Sequence, residues 1–355
     1  MKDKKEINKN NENELENMNI ISKDYSSSSN KNFDIAKNII KILNYLKLIV
    51  VILICSLIFC LFLFKNESMN HNRQKINYRE TPFYNLIDLD KYEVNKYNEI
   101  KKTIIKAGCS QMSNKEREFI NGIIRKFKPK KILEVGVYHG GSSVIILNAI
   151  DDMRESKFYS IELDSGDFVG DCVNKYFPQF LKNWKLYKGN IATEYMEIIG
   201  KEIDMVIIDT AHYEPGEIID FLIVLPFLKE EAIVIFHDIK AQFMSKTREE
   251  WAPYIIFNGI RGTKFYPSGN YILNHNIGAI KLEKNQKSFY KDYFRLLGGE
   301  WQYFPKEIHI SLLRNYFKKY YEKECLIMFE ETITFNRNFV KQNPKLIQYN
   351  KTIDH

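Results

Sequence analysis

The sequence predicts an α/β protein, built on a doubly wound and mostly parallel sheet with helices on both faces, behind one membrane-crossing helix. Three observations predict it. Short apolar runs alternate with helical patterns from Lys131 to Phe236, the rhythm of a parallel sheet with crossover helices. Runs such as residues 205–208 (MVII) and 233–236 (IVIF) are apolar throughout, as strands covered on both faces must be. The stretch Leu48–Phe64 carries no charged residue.

Composition sets the frame for these elements. The chain has 355 residues, of which 45% are hydrophobic and 27% charged, enough for one large domain with appendages. The net charge is +7, but the Lys are scattered among Glu and Asp. A nucleic-acid partner would want a concentrated basic patch, so none is expected. The five cysteines (Cys55, Cys60, Cys109, Cys172 and Cys325) show no metal-binding spacing. An odd, dispersed set makes a poor disulfide framework, so reduced thiols are expected in the soluble part.

Residues 1–34 are rich in Lys, Asn, Glu and Ser and predict a disordered tail. Residues 35–65 contain the span. The seventeen residues between Lys47 and Lys65, all apolar but Ser56, rise roughly 25 Å as a helix, near the lower limit for a bilayer. Flanking lysines can snorkel and extend the reach. Charge does not orient the span: Lys31, Lys37, Lys41 and Lys47 precede it, and Lys65, Arg73, Lys75 and Arg79 follow. Residues 66–112 read as a linker and cap helix, the helix running from about Val94 to Lys106 and stopping at Gly108.

The main domain is placed at residues 113–283. Ser113 with Glu116 forms a capping box, opening a helix with Phe119, Ile120, Ile123, Ile124 and Phe127 at helical spacing. Strands follow at 131–136, 158–162, 184–187, 203–209 and 232–236, with helices at 141–148, to about Phe177, and at 215–228. A last strand is predicted at 276–282. Residues 284–355 form a C-terminal helical extension, with an amphipathic helix over 308–324 and a polar helical end.

Ligands of such sheets bind beyond the carboxyl ends of the strands. After the first predicted strand stands the run Glu134-Val-Gly136-Val-Tyr138-His-Gly140-Gly141-Ser142. Gly136 suits a tight turn. Gly140 and Gly141 open a helix N-terminus to a carboxylate, to which Ser142 can donate. Tyr138 stands where a dinucleotide fingerprint has its second glycine and would crowd a pyrophosphate. Glu162 ends the next strand and suits ribose hydroxyls. Asn190 follows the third and offers an amide to a base edge. Asp209 and His212 follow the fourth, and His237 and Asp238 the fifth. Two carboxylates and two imidazoles at adjacent strand ends suit a divalent ion and a general base. Asp209 capping the next helix, with His237 a satisfied polar group, is the structural alternative.

The run ILEVGVYHGGSS resembles the first motif of class I methyltransferases in the catechol and caffeoyl-CoA O-methyltransferase branch. IDMVIIDTAHYEPGEIIDFLIVLPFLKEEAIVIFHDI resembles the fourth and fifth motifs of bacterial sugar O-methyltransferases and cephalosporin-hydroxylase-like proteins. The resemblance spans roughly residues 113–282. It implies a Rossmann-like fold, S-adenosylmethionine as cofactor and methyl transfer to a hydroxyl. It places Glu134, Gly136, Tyr138, Gly140 and Ser142 along the methionine end of the cofactor and Glu162 at the ribose. Asp209, His237 and Asp238 fall at the metal ligands of that branch, for magnesium or a similar divalent ion. His212 falls at its catalytic lysine, and is expected as the base.

The expected acceptor is a sugar, glycan or small molecule. The resemblance also implies a catalytic domain on the cytosolic side, where the cofactor is made. A hydroxylase on the same fold, or a non-catalytic membrane-tethered binding module, are the alternatives.

Overall fold

The computed structural model describes residues 85–87, 94–240, 250–267 and 276–342. All lie in the compact unit Tyr78–His355. The predicted tail and apolar run Leu48–Phe64 fall outside the described residues. Among the described residues, no helix is long and apolar enough to cross a membrane.

Eight strands form one sheet: β1 (Asn85–Ile87), β2 (Lys131–Val135), β3 (Lys157–Glu162), β4 (Trp184–Lys188), β5 (Ile203–Ile208), β6 (Leu228–His237), β7 (Gly262–Pro267) and β8 (Ile277–Leu282). Their order is β1-β7-β8-β6-β5-β2-β3-β4. Every neighbouring pair is parallel except β6–β8 and β7–β8. The doubly wound, mostly parallel sheet is thus as expected. The strand order reverses direction between β2 and β5, which opens the crevice where such sheets bind ligands.

Helices α1 (Val94–Ala107), α2 (Asn114–Phe127) and α3 (Gly141–Ile150) cover one face. The capping box at Ser113 and Glu116 is formed. The other face carries α6 (Gly216–Val224), after the short α4 (Asp171–Tyr176) and α5 (Met196–Ile199). Alternate residues of β5 serve the two cores: Met205 and Ile207 one, Val206 and Ile208 the other. This explains the uninterrupted apolar run, because both sides of the strand are covered.

The C-terminal half departs from expectation in three places. Helix α7 (Ala252–Gly259) and strand β7 carry no clean periodicity, and β7 holds a buried lysine, Lys264. The helix expected over 308–324 ends earlier, as α9 (Glu307–Tyr320), which follows α8 (Tyr290–Arg295), and the helical end expected after it is α10 (Lys323–Gln342). Helix α10 is polar on average, yet buries Cys325, Phe329, Ile333, Asn336 and Val340 on one stripe. Of these, Cys325, Phe329 and Ile333 share a core with Trp301, Leu313, Phe317 and the sheet residues Val234 and Phe236. Hydrogen bonds fasten the extension to α6, with the Tyr316 hydroxyl donating to the Ile223 carbonyl at 2.7 Å and that of Tyr321 to Leu222 at 2.5 Å.

The expectation of reduced thiols fails for one pair. Cys109 and Cys172 form a disulfide with their Cα atoms 5.7 Å apart. Their separation of 63 residues hid a proximity that the fold creates. The start of α4 lies against the glycine turn of β2, and the loop after α1 lies on the other side of that turn. Cys325 is free and buried.

Candidate active site

A cavity of about 800 Å³ opens at the carboxyl ends of β2, β3, β5 and β6. Its walls come from the glycine turn, the loop 109–112, the start of α6 and the C-terminal extension through Tyr303, Phe304, His309 and Leu313.

The glycine turn shapes the first wall. Gly136 has φ +91°, and a Cβ there would sit 1.9 Å from the Asp209 carbonyl oxygen. No other residue lets β2 and β5 close this tightly at their ends. Gly141 opens α3 with the Cys109 carbonyl against it, 2.3 Å from where a Cβ would stand. Gly136, Tyr138, Gly141, Ser142, Glu162 and Asn190 line the cavity. Tyr138 is held at φ +49° and is largely exposed at the rim.

Glu134 and Gly140 do not line it. Glu134 is fully buried and accepts hydrogen bonds from the hydroxyls of Ser142 (2.6 Å), Ser143 (2.7 Å) and Ser160 (2.7 Å). Its carboxylate is saturated by the protein, so its place is behind the glycine turn, where it fastens the start of α3 to β2 and β3. Burial drives its pKa up to about 7, against the pull of the three hydroxyls. Gly140 packs on Gly170 at the start of α4. Glu162 folds towards the turn and accepts from the Val137 and Tyr138 amides at 2.8 and 3.0 Å.

The polar floor lies at the ends of β5 and β6. Asp209, His212 and Asp238 each offer one donor atom, all within 4.8 Å of one another. His212 Nε2 stands 3.1 Å from Asp238 Oδ2 and 3.9 Å from Asp209 Oδ1. His237, expected among the ligands, stands beside these three: its Nδ1 is 3.1 Å from Asp238 Oδ2 and 3.4 Å from Asp209 Oδ1. Its Nε2 faces Glu116 at 3.6 Å. Asp238 takes a left-handed turn at φ +52° directly after β6, a conformation Asp tolerates. Its other oxygen accepts from the Asn276 side chain.

The charges are strongly coupled. Burial opposes charge on His212, but Asp238, Glu217 and Asp209 outweigh it and hold its pKa up to about 11. The same contest raises His237 well above its ordinary value. Burial disfavours the Asp238 carboxylate, yet the two imidazoles hold its pKa far below the usual range. A protonated His212 cannot take a proton. The base role expected of it therefore needs another cation in place of that proton.

Four participants escaped the sequence reading. Glu217, fully buried on α6, places Oε1 3.1 Å from His212 Nδ1. Glu116 was read only as a cap. Asn276 orients Asp238. Asp220, buried behind the Thr210 hydroxyl at 2.6 Å, lines the cavity, and burial lifts its pKa to about 6. Only Glu116 had a sequence signal, its capping box, and that signal spoke for a different role.

Residues 133–239 match the family described as Methyltransferase domain. No curated protein matches the chain. Among solved structures, one from Staphylococcus aureus assigned as a caffeoyl-CoA O-methyltransferase is 20% identical, covering 54% of this chain and 93% of that one, with a TM-score of 0.40. An O-methyltransferase from Bacillus cereus, in complex with S-adenosylhomocysteine, is 12% identical over 53% and 90%, TM-score 0.39. The O-methyltransferase TomG from Streptomyces achromogenes, in complex with S-adenosylmethionine, is 12% identical over 56% and 100%, TM-score 0.39. The family match begins inside β2 and ends just past the β6 turn, so it takes in the glycine turn, Glu162, Asp209, His212, His237 and Asp238. Residues 133–239 of the chain are thus similar to a methyltransferase domain.

Proposed function

We propose that the chain is an S-adenosylmethionine-dependent methyltransferase that transfers the cofactor's methyl group to a hydroxyl oxygen of a sugar, glycan or small molecule, with a divalent ion held by Asp209, His212 and Asp238. The observation that carries this reading is the convergence of those three side chains within 4.8 Å on the floor of the cofactor cavity. The methyl donor is already activated, so the protein has two tasks: aligning an oxygen with the sulfonium methyl, and deprotonating that oxygen.

The residues fit an ion. Asp209 and Asp238 face His212 Nε2 while Glu217 faces Nδ1, and a cation beside Nε2 would relieve the repulsion between the two aspartates. A divalent ion bound there would lower the pKa of an acceptor hydroxyl. In this reading His212 is a ligand. His237, beside the same carboxylates and lining the cavity, would receive the proton once a bound cation replaces the pull of Asp209 and Asp238 that otherwise keeps its ring protonated. Glu162 and Asn190 hold the nucleoside end, and Ser142 the methionine end. The run Leu48–Phe64 tethers the domain to a membrane, with the catalytic side facing the cytosol where the cofactor is made.

Calorimetry with S-adenosylhomocysteine, followed by transfer of labelled methyl to membrane glycan extracts, tests this. Binding at micromolar concentration and chelator-sensitive labelling of a hydroxyl are expected. Asp209→Asn combined with Asp238→Asn should abolish the metal response and leave cofactor binding intact. Full activity in a chelator would remove the ion from the mechanism, and labelling at nitrogen or sulfur would remove O-methylation.

A further inference from the structure

We propose that the Asp209–His212–Asp238 site selects a first-row transition ion of the iron, cobalt and zinc class over magnesium, and that buried Glu217 is the positioning residue behind this choice. The inference rests on the metal-assisted reading above and refines it.

The donor set argues first. Magnesium demands oxygen ligands and dehydrates reluctantly, whereas an imidazole nitrogen suits the borderline ions. Two donors on one such ion, each about 2.1 Å from it, stand roughly 3.0–3.5 Å apart. The separation of His212 Nε2 from Asp238 Oδ2, 3.1 Å, falls within that range, and that from Asp209 Oδ1, 3.9 Å, lies a few tenths of an ångström beyond it.

Orientation of the ring argues second. For Nε2 to offer a lone pair, the proton of a neutral imidazole must sit on Nδ1. Glu217 Oε1 lies 3.1 Å from Nδ1 and receives it. The same oxygen accepts from the Thr210 amide at 3.2 Å, which ties the carboxylate to the residue following Asp209. A carboxylate behind a ligating histidine fixes its tautomer and raises its basicity. The other Glu217 oxygen is buried without a hydrogen-bond partner. Leaving half a buried carboxylate unsatisfied is costly, so self-satisfaction is not what keeps Glu217 here.

His237 supplies an independent sign of a ligand. It is 8% exposed, and neither ring nitrogen makes a hydrogen bond of acceptable geometry. Yet its Nδ1 approaches the two carboxylates that His212 approaches. A second imidazole in want of a partner at the same acids is what a nitrogen-preferring ion would exploit.

The test uses purified protein stripped with a chelator, then titrated by calorimetry with Mg²⁺, Co²⁺ and Zn²⁺ at one pH, with visible absorption of the Co²⁺ form. S-adenosylhomocysteine affinity reports folding throughout. Wild-type protein is expected to prefer Co²⁺ to Mg²⁺ by well over tenfold and to show a nitrogen-ligated Co²⁺ spectrum. Glu217→Gln is expected to weaken Co²⁺ binding about 10–100-fold. Should that variant misfold, His212→Asp serves alone: replacing nitrogen by oxygen should collapse the Co²⁺/Mg²⁺ ratio and change the spectrum.

The same ratio in wild type and His212→Asp overturns the selectivity, and unchanged Co²⁺ binding in a folded Glu217→Gln overturns the positioning role. Tight Mg²⁺ binding with a wild-type Mg²⁺ preference would overturn this inference and leave metal-assisted methylation standing. Cofactor binding with no divalent ion bound would overturn both.

Discussion

Glu134 ends one strand residue before the glycine turn, with no exposed surface and three serine hydroxyls donating to it. Ser142 and Ser143 open α3, and Ser160 lies on β3, so one carboxylate joins three elements. Glu134→Ala leaves three buried hydroxyls without their acceptor. It should cost about 2–4 kcal/mol of stability, read as a lowered urea midpoint. Cofactor affinity should fall with it, because the N-terminus of α3 loosens. A variant of wild-type stability with weakened cofactor binding would instead mean that Glu134 touches the ligand. Most of the floor was legible residue by residue: Asp209, His212, His237 and Asp238 stand where strands end, and strand ends follow from hydrophobic patterning. Glu217 was not legible. It sits in the first turn of a helix, among residues that pattern as core, and only the third dimension brings it to the far side of the His212 ring.

The element least readable in the chain is β7. Strands β6 and β8, which flank it along the chain, were legible through their uncharged, mostly apolar stretches 232–236 and 277–280. β7 places Lys264 midway, 6% exposed, with Nζ donating to the Asn258 carbonyl at 3.2 Å and lying 5.8 Å from the Phe257 ring centre. A charged residue in a short run reads as loop, while here the stem is apolar filling and the head is spent on a backbone carbonyl. Burial lowers the Lys264 pKa to about 8. Between that value and its ordinary 10.5, the unfolded chain binds more protons than the folded one. Stability therefore rises with pH across this window, and the full cost, about 3 kcal/mol, is present below pH 8. Lys264→Met should raise stability at pH 7 by about 1–3 kcal/mol and flatten the rise between pH 8 and 10. Chemical denaturation at several pH values checks both. A destabilised variant with an unchanged pH slope would show that the amine is not desolvated as the burial implies.

At the scale of the whole molecule, two features pull the catalytic unit towards different compartments. S-adenosylmethionine, the cofactor of the proposed function, is made in the cytosol, and we propose that the domain faces that side of a membrane. The Cys109–Cys172 bridge belongs to oxidising surroundings. It also bears on function, because Cys109 lines the cavity and the bridge joins the loop 109–112 to α4 across the glycine turn. Closing a loop of this length restrains the unfolded chain by roughly 4 kcal/mol in the chain-entropy account. In purified, air-exposed protein, both thiols should resist alkylation until a reductant is added. Cys109→Ser with Cys172→Ser should unfold at lower denaturant and bind S-adenosylhomocysteine more weakly. The decisive measurement is made in cells quenched with an alkylating agent, beside protease digestion of sealed membranes. A cytosolic domain is cleaved by external protease in vesicles of cytosolic-side-out orientation, and its two cysteines are alkylated without reduction. A protected domain whose cysteines react only after reduction would place it in the lumen. The proposed orientation would then be wrong, and the cofactor would have to be imported to meet it.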